Sequence, residues 1–299
     1  MKFTKMQGIG NDYVYVNCFE ETVADPERVS EIISDRHFGI GADGLVLIMP
    51  SDKADFRMRM FNADGSEGNM CGNATRCIGK FVYDNHLTDK TNITLETRSG
   101  IKKLTLYPEN GKVKTVLVDM GKAVLKPADI PMNVSGDTFI NKPITVDGKE
   151  VFITAVSMGN PHCVVFCPRV DGVDVEHVGP QFEHAPYFDD VDSLELEKIG
   201  PSFENHPLFP ERVNTEFIKI LDESTMQMRV WERGSGETWA CGTGACAATA
   251  ASVLNGYFPH DKEITVKLRG GDLFITYKSD GTVLMRGPAE TVFTGEIDV

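Results

Sequence analysis

Two stretches of the chain set a cysteine directly before a glycine at the head of a helical pattern. They are Met70-Cys71-Gly72-Asn73-Ala74-Thr75-Arg76-Cys77 and Ala240-Cys241-Gly242-Thr243-Gly244-Ala245-Cys246-Ala247-Ala248. The Ala-rich tail of the second favours helix. The first turn of a helix carries N–H groups with no intrahelical partner, and the dipole adds positive potential there. Each start is therefore a place for a carboxylate or a phosphate. A thiol at the same end is expected to ionise below the free value of about 8.5; a pKa lower by one to two corresponds to about 1.4–2.7 kcal/mol. Two such ends facing each other would hold one anionic group and set a thiol on each side of the carbon next to it. That geometry suits inversion of an α-carbon. One thiolate takes the proton from one face, the partner thiol gives a proton to the other, and the reverse reaction exchanges the roles. No cofactor is needed in principle, because N–H donors aimed at the carboxylate stabilise the carbanion.

A lone cysteine at a helix start is more often a small buried residue; it is the matched pair that argues for chemistry. Cys77 and Cys246 fall inside their helices and read as core. Cys18, Cys163 and Cys167 lie in or beside strands and read as structural. The spacings 71–77 and 241–246 are wider than a structural zinc pair. The Gly-rich stretches lack Gly-Lys-Ser/Thr, and Gly39-Ile40-Gly41 opens a strand, so a phosphate loop is poorly supported.

The elements that must position these residues come twice. Phe3 to Met6, Tyr13 to Asn17, Leu45 to Ile48 and Phe56 to Phe61 read as strands, and residues 26–35 as a helix with Asp25 as N-cap and Pro26 in its first turn. A Gly-rich loop and a helix from Gly72 to Asp84 follow. Residues 92–120 alternate as strands with Asn110-Gly111 as a hairpin turn. The second half brings strands at Val151 to Val156, Cys163 to Cys167, Thr215 to Leu221 and Met226 to Trp231, a Pro- and acid-rich helical stretch over 171–209, and a helix from Gly242 to Leu254. Met58-Arg59-Met60-Phe61-Asn62 aligns with Met228-Arg229-Val230-Trp231-Glu232; without a gap, Glu67 then meets Glu237 and Cys71-Gly72 meets Cys241-Gly242. Two similar halves related by a pseudo-twofold are expected. A shorter tandem repeat pairs residues 179–188 with 200–209, and one copy is expected at the surface.

At 299 residues, with 41% hydrophobic and 25% charged residues, the chain reads as an ordinary globular protein of one large or two smaller domains. A formal net charge of −14 argues against a nucleic-acid partner and against attraction to anionic lipid. The N-terminus lacks a signal-peptide pattern, and no apolar run is long enough to span a membrane. Seven cysteines in such a chain are expected as mostly free thiols in the cytoplasm.

The ordered motifs Gly8-Ile9-Gly10-Asn11-Asp12, Arg36-His37-Phe38-Gly39-Ile40-Gly41-Ala42-Asp43, Phe61-Asn62-Ala63-Asp64-Gly65-Ser66, Met70-Cys71-Gly72-Asn73, Met158-Gly159-Asn160-Pro161-His162, Pro210-Glu211-Arg212-Val213-Asn214 and Glu232 to Gly244 resemble the diaminopimelate epimerase family over most of the chain. The resemblance implies an α/β fold of α+β type: two domains, each a mostly antiparallel sheet wrapped around a central helix, with the active site in the cleft between them. The expected division is 1–120 with a returning strand near 287–299, and 121–286. The implied reaction interconverts LL- and meso-2,6-diaminoheptanedioate without pyridoxal phosphate or metal, in lysine and cell-wall precursor synthesis. Cys71 and Cys241 match the acid/base pair. Gly72, Asn73, Gly242 and Thr243 match positions holding the reacting carboxylate, and His162 and Glu232 match groups beside the reacting amine that adjust the cysteines. Asn11, Asn62, Asn160, Asn214 and Arg233 match residues holding the distal amino acid, where an arginine can clamp a carboxylate and asparagines supply both hydrogen-bond roles. A small amino-acid substrate is the expected partner, with a homodimer as the assembly considered.

The chain departs from the commonest family pattern at Ala74-Thr75 and in the extra 179–188 copy. Two other readings stand beside this one. A sister isomerase of the proline racemase or phenazine-pathway type would leave Arg233 and the asparagines without a task. A thiol redox or metal-binding protein would show bound zinc.

Overall fold

A computed structural model describes residues 1–167 and 190–299. The chain divides into two compact units, Met1–Asp119 with Arg286–Val299, and Met120–Met285. In the first unit, β1 (Lys2–Gly8) and β2 (Asn11–Asn17) pair antiparallel. The helix α1 (Pro26–Ser34) starts where the Asp25 side chain accepts from the Arg28 amide (3.2 Å) and Pro26 presets the first turn. The apolar run of β3 (Gly44–Met49) is buried on both faces and lies parallel to β2, as a covered parallel strand should. β4 (Phe56–Asn62) returns antiparallel to β3, and the short β5 (Glu67–Gly68) folds back on it. Helix α2 (Gly72–Asp84) follows, then β6 (Asn92–Thr97), β7 (Gly100–Glu109) and β8 (Lys112–Lys122).

Side by side, the strands run β1, β2, β3, β4, β6, β7, β8. Helix α2 packs on β1 and β2 and also on β7, so the sheet curls around it. Every residue of α2 from Gly72 to Val82 is buried. Two charges inside that span are answered by backbone: Arg76 Nε donates to Pro288 O (3.1 Å) and Lys80 Nζ to Val113 O (2.7 Å).

The second unit holds β9 (Lys142–Val146), β10 (Lys149–Ser157), β11 (Pro161–Phe166), α3 (Leu196–Glu204), β12 (Asn214–Asp222), β13 (Thr225–Glu232), β14 (Gly236–Glu237), α4 (Gly242–Leu254), β15 (Glu263–Leu268) and β16 (Gly271–Tyr277). Neighbours from β10 through β11, β12, β13 and β15 to β16 are antiparallel, parallel, antiparallel, parallel and antiparallel, the same succession as from β1 to β7 in the first unit. Helix α4 packs on β10, β11, β12, β15 and β16. Its run of buried alanines lets strands approach from several sides. β17 (Thr282–Pro288) carries the chain back to the first unit, and β18 (Glu290–Glu296) adds antiparallel to β1. The fold is α+β, built from two similar units.

The expected helical stretch over 171–209 is shorter where it is described. Helix is confined to Leu196–Glu204, because Asn205 caps it by bonding Pro201 O through its amide (3.1 Å) and its side chain (2.8 Å). The first copy of the tandem repeat, 179–188, lies outside the described residues. Among the described residues no helix is long and apolar enough to cross a membrane.

Candidate active site

The candidate residues fall into two groups, one in each unit. In the first, Cys71 is the N-cap of α2 with extended backbone (φ −128°, ψ 123°). Its Sγ lies 3.3 Å from Asn11 Oδ1, which also accepts from Asn73 Nδ2 (3.4 Å). The other end of the Asn11 amide is fixed: Nδ2 donates to Asp43 Oδ2 (2.8 Å), which also takes the Asp12 amide (3.0 Å). Arg36 bridges Asp12 (2.8 Å) and Asp43 (3.0 Å), and Lys5 pairs with Asp12 (2.5 Å) and with the Gly41 carbonyl. Burial pushes the Asp43 carboxyl up, whereas at Asp12 burial is outweighed by Arg36 and Lys5, which hold it low. Asn62 sits at the end of β4, where its Nδ2 donates to Ser66 Oγ (2.9 Å). Arg59 clamps Glu67 with two bonds (2.8 and 3.1 Å) and fixes the β4–β5 turn that leads into Cys71.

The second group repeats that frame with different chemistry. Arg229 clamps Glu237 in the same way (2.8 and 3.0 Å), and Cys241 caps α4 with φ −125° and ψ 107°. Cys241 Sγ accepts from the Gly244 amide (3.3 Å) and lies 3.6 Å from Thr243 Oγ1. Asn160 Nδ2 donates to Thr243 Oγ1 (3.3 Å), and Asn160 Oδ1 faces His162 Nε2 (3.1 Å). The other ring nitrogen of His162 meets Glu216 Oε1 at 2.7 Å, with both side chains fully buried. Glu232 accepts from Thr238 Oγ1 (2.5 Å). Asn214 lies opposite His162 in the β11–β12 register; its Nδ2 donates to Pro161 O (3.2 Å) and its Oδ1 takes the Arg233 amide (3.0 Å). Asn160, His162, Asn214, Glu232, Arg233, Cys241 and Thr243 are thus gathered around one end of α4, whose first residue is Gly242.

The thiol expected to ionise easily does the opposite at Cys241. Burial, then the charges of Glu232 and Glu216, push it well above the ordinary thiol range, against the bonds from Thr243 and Gly244. Two carboxylates and a dry environment outweigh one helix end. Burial also holds the Glu232 carboxyl above its usual value, although Thr238 and Cys241 hydrogen-bond it. The cysteines read as core are buried: Cys77 is pushed up to about 11 by burial, and Cys163, Cys167 and Cys246 are equally enclosed. Cys18 is half-buried.

Sequence reasoning passed over Glu216, the partner of His162. A carboxylate among the strand-forming residues Thr215, Phe217 and Ile218 was the available signal. Asp43 and Thr238 stand inside the ordered motifs, but their bonds to Asn11 and Glu232 are visible only in three dimensions.

Two like units, each with a cysteine-capped central helix, define a class of duplicated α+β proteins. A hydroxyproline epimerase from Agrobacterium vitis shares the fold with a TM-score of 0.67 over 99% of this chain and 90% of that one, at 12% identity. The sequence model of the diaminopimelate epimerase family matches residues 3–126 and 187–292. A diaminopimelate epimerase of Acetivibrio thermocellus is 55% identical over 300 residues, covering 100% of this chain and 99% of that protein. Another from Agathobacter rectalis is 55% identical over 307 residues and covers both chains fully. The chain belongs to the diaminopimelate epimerase family, a family of isomerases.

Proposed function

We propose that this chain interconverts LL- and meso-2,6-diaminoheptanedioate by passing the α-proton between Cys71 and Cys241. The observation that carries this reading is one construction made twice: a strand, an Arg–Glu-clamped turn and a cysteine capping a buried helix, with an asparagine amide beside each helix start. Its use for this substrate is supported by relatives of that name at 55% identity over the full chain.

In this mechanism one thiolate takes the α-proton, breaking C–H and forming S–H, and the electron pair moves into the adjacent carboxylate. Helix-start amides at Gly72 and Asn73, and at Gly242 and Thr243, stabilise the developing charge. The other thiol gives its proton to the opposite face of the same carbon, so one proton leaves, one arrives and the two sulfurs exchange states. A Cys241 held as thiol by burial and two carboxylates is suited to donate first. The substrate ammonium arriving beside Glu232 and His162 offsets carboxylate charge and makes the return step accessible. Arg233, Asn11, Asn62, Asn160 and Asn214 hold the distal amino acid. The cytoplasm, which keeps thiols reduced, fits an acidic chain with free cysteines.

The test is proton NMR of LL-diaminoheptanedioate in deuterated water with enzyme and reductant. Loss of the α-proton signal as the meso isomer appears is the expected result. A folded, reduced protein that produces neither, or that turns over proline as well, would overturn the assignment in favour of a sister isomerase.

A further inference from the structure

The mechanism leaves the second copy of the tandem repeat, residues 200–209, without a task, yet its side chains are specifically placed. Gly200 lies against the indole of Trp231; a Cβ there would come 2.2 Å from Cδ2, so the close approach requires glycine. Phe203 is buried edge-on to Phe217 (5.3 Å between centroids). Glu204, 7% exposed, accepts three hydrogen bonds: from Trp231 Nε1 on Oε2 (2.7 Å), and from the Gly234 amide (2.9 Å) and Arg212 Nη1 (2.8 Å) on Oε1.

Trp231 and Gly234 flank Glu232 and Arg233. The Arg233 amide is held by Asn214 Oδ1, the Gly234 amide by Glu204, and Ser235 N closes the turn on Glu232 O (3.1 Å). Gly234 adopts φ +78°, where the chain reverses. The first unit has a counterpart. Ser30 of α1 donates to the carbonyls of Phe61 (3.2 Å) and Asn62 (2.8 Å), the positions aligned with Trp231 and Glu232. In each unit a helix outside the cysteine pair thus carries a polar side chain that holds the turn after the aligned strand, α1 by donating and α3 by accepting.

We infer that Glu204 is a positioning residue for substrate recognition, fixing the backbone from which Glu232 and Arg233 present their side chains; this rests on the function proposed above. Glu204 itself touches no substrate. The carboxylate form matters because both oxygens accept. In Glu204→Gln, one of them becomes an N–H₂ group facing either the indole N–H or the Gly234 amide and Arg212, and a donor then meets a donor.

The experiment compares Glu204→Gln with Phe203→Leu, which weakens the same helix's packing without touching the turn. For Glu204→Gln we expect KM for LL-diaminoheptanedioate to rise about tenfold, the effect of one lost charged contact, with kcat falling less than threefold. Amide hydrogen exchange over residues 232–238 should quicken about tenfold. Phe203→Leu should lower the melting temperature and leave KM unchanged. The inference is overturned if Glu204→Gln changes neither KM nor exchange, or if Phe203→Leu raises KM equally. A wild-type enzyme without turnover removes the parent reading and the substrate role of Glu204 with it, and the exchange data then report separately whether Glu204 holds the turn.

Discussion

At the scale of single residues, Cys241 is decided by a contest of magnitudes. Its helix-start amide and the Thr243 hydroxyl favour thiolate, while burial, Glu232 and Glu216 favour thiol, and the second set wins. Removing a raising cause must lower the thiol pKa, so more thiolate is present at a given pH. Glu232→Gln should therefore speed alkylation of Cys241 by iodoacetamide at pH 7.5 roughly tenfold, the gain in thiolate fraction expected when one neighbouring carboxylate charge is removed. Peptide-resolved mass spectrometry reads the rate, and an unchanged rate would show that burial and Glu216, not Glu232, set the thiol. The two cysteine-capped helix starts were legible in sequence because each cysteine stands before glycine at the head of a helical pattern. The direction in which Cys241 moves was not, because Glu216 comes from β12 and Glu232 from β13, strands that meet α4 only after folding.

At the scale of elements, the approximate spans of α2 and α4 were legible because a cysteine and a glycine mark their starts; in the structure Asn85 and Asn255 close their ends, each amide side chain bonding back to a carbonyl four residues earlier (2.8 and 2.7 Å). Less legible was α3, whose polar and apolar residues run on beyond the Asn205 cap that ends it. The opening turn of α4 also carries a constraint that propensity misreads. Ala is preferred to Gly inside a helix by about 1 kcal/mol, yet a Cβ on Gly244 would lie 2.6 Å from Glu216 Oε1 and 3.1 Å from Cys241 Sγ. Displacing Glu216 breaks a fully buried pair with His162, a loss on the order of 3–5 kcal/mol. Sterics should win. Gly244→Ala is expected to lower both the melting temperature and turnover, the latter at least tenfold, and a rise in melting temperature would show that the carboxylate relaxes without cost.

At the scale of the whole molecule, the chain leaves the first unit, completes the second as one continuous segment and returns to close the first with β18. The halves could be read from the aligned motifs, but the partner of the last strand could not, since its β1 register depends on contacts nearly the whole chain apart. β18 makes six register pairs with β1, its Phe293 ring meets Phe3 edge-on at 5.9 Å, and the Met1 amino group donates to Ile297 O (2.7 Å). At about 0.2–1 kcal/mol per cross-strand pair, removing residues 290–299 should destabilise the first unit by roughly 3 kcal/mol. The two units carry separate apolar clusters, Phe3, Val14, Leu45 and Phe61 among others in the first, and Ile153, Phe203, Phe217 and Trp231 among others in the second. Both tryptophans, Trp231 and Trp239, belong to the second unit, so indole fluorescence follows that unit while far-ultraviolet circular dichroism follows both. Truncation should therefore move part of the dichroism transition to lower urea and leave the fluorescence midpoint in place. A fluorescence midpoint that moves with it would mean that the two units unfold as one cooperative body.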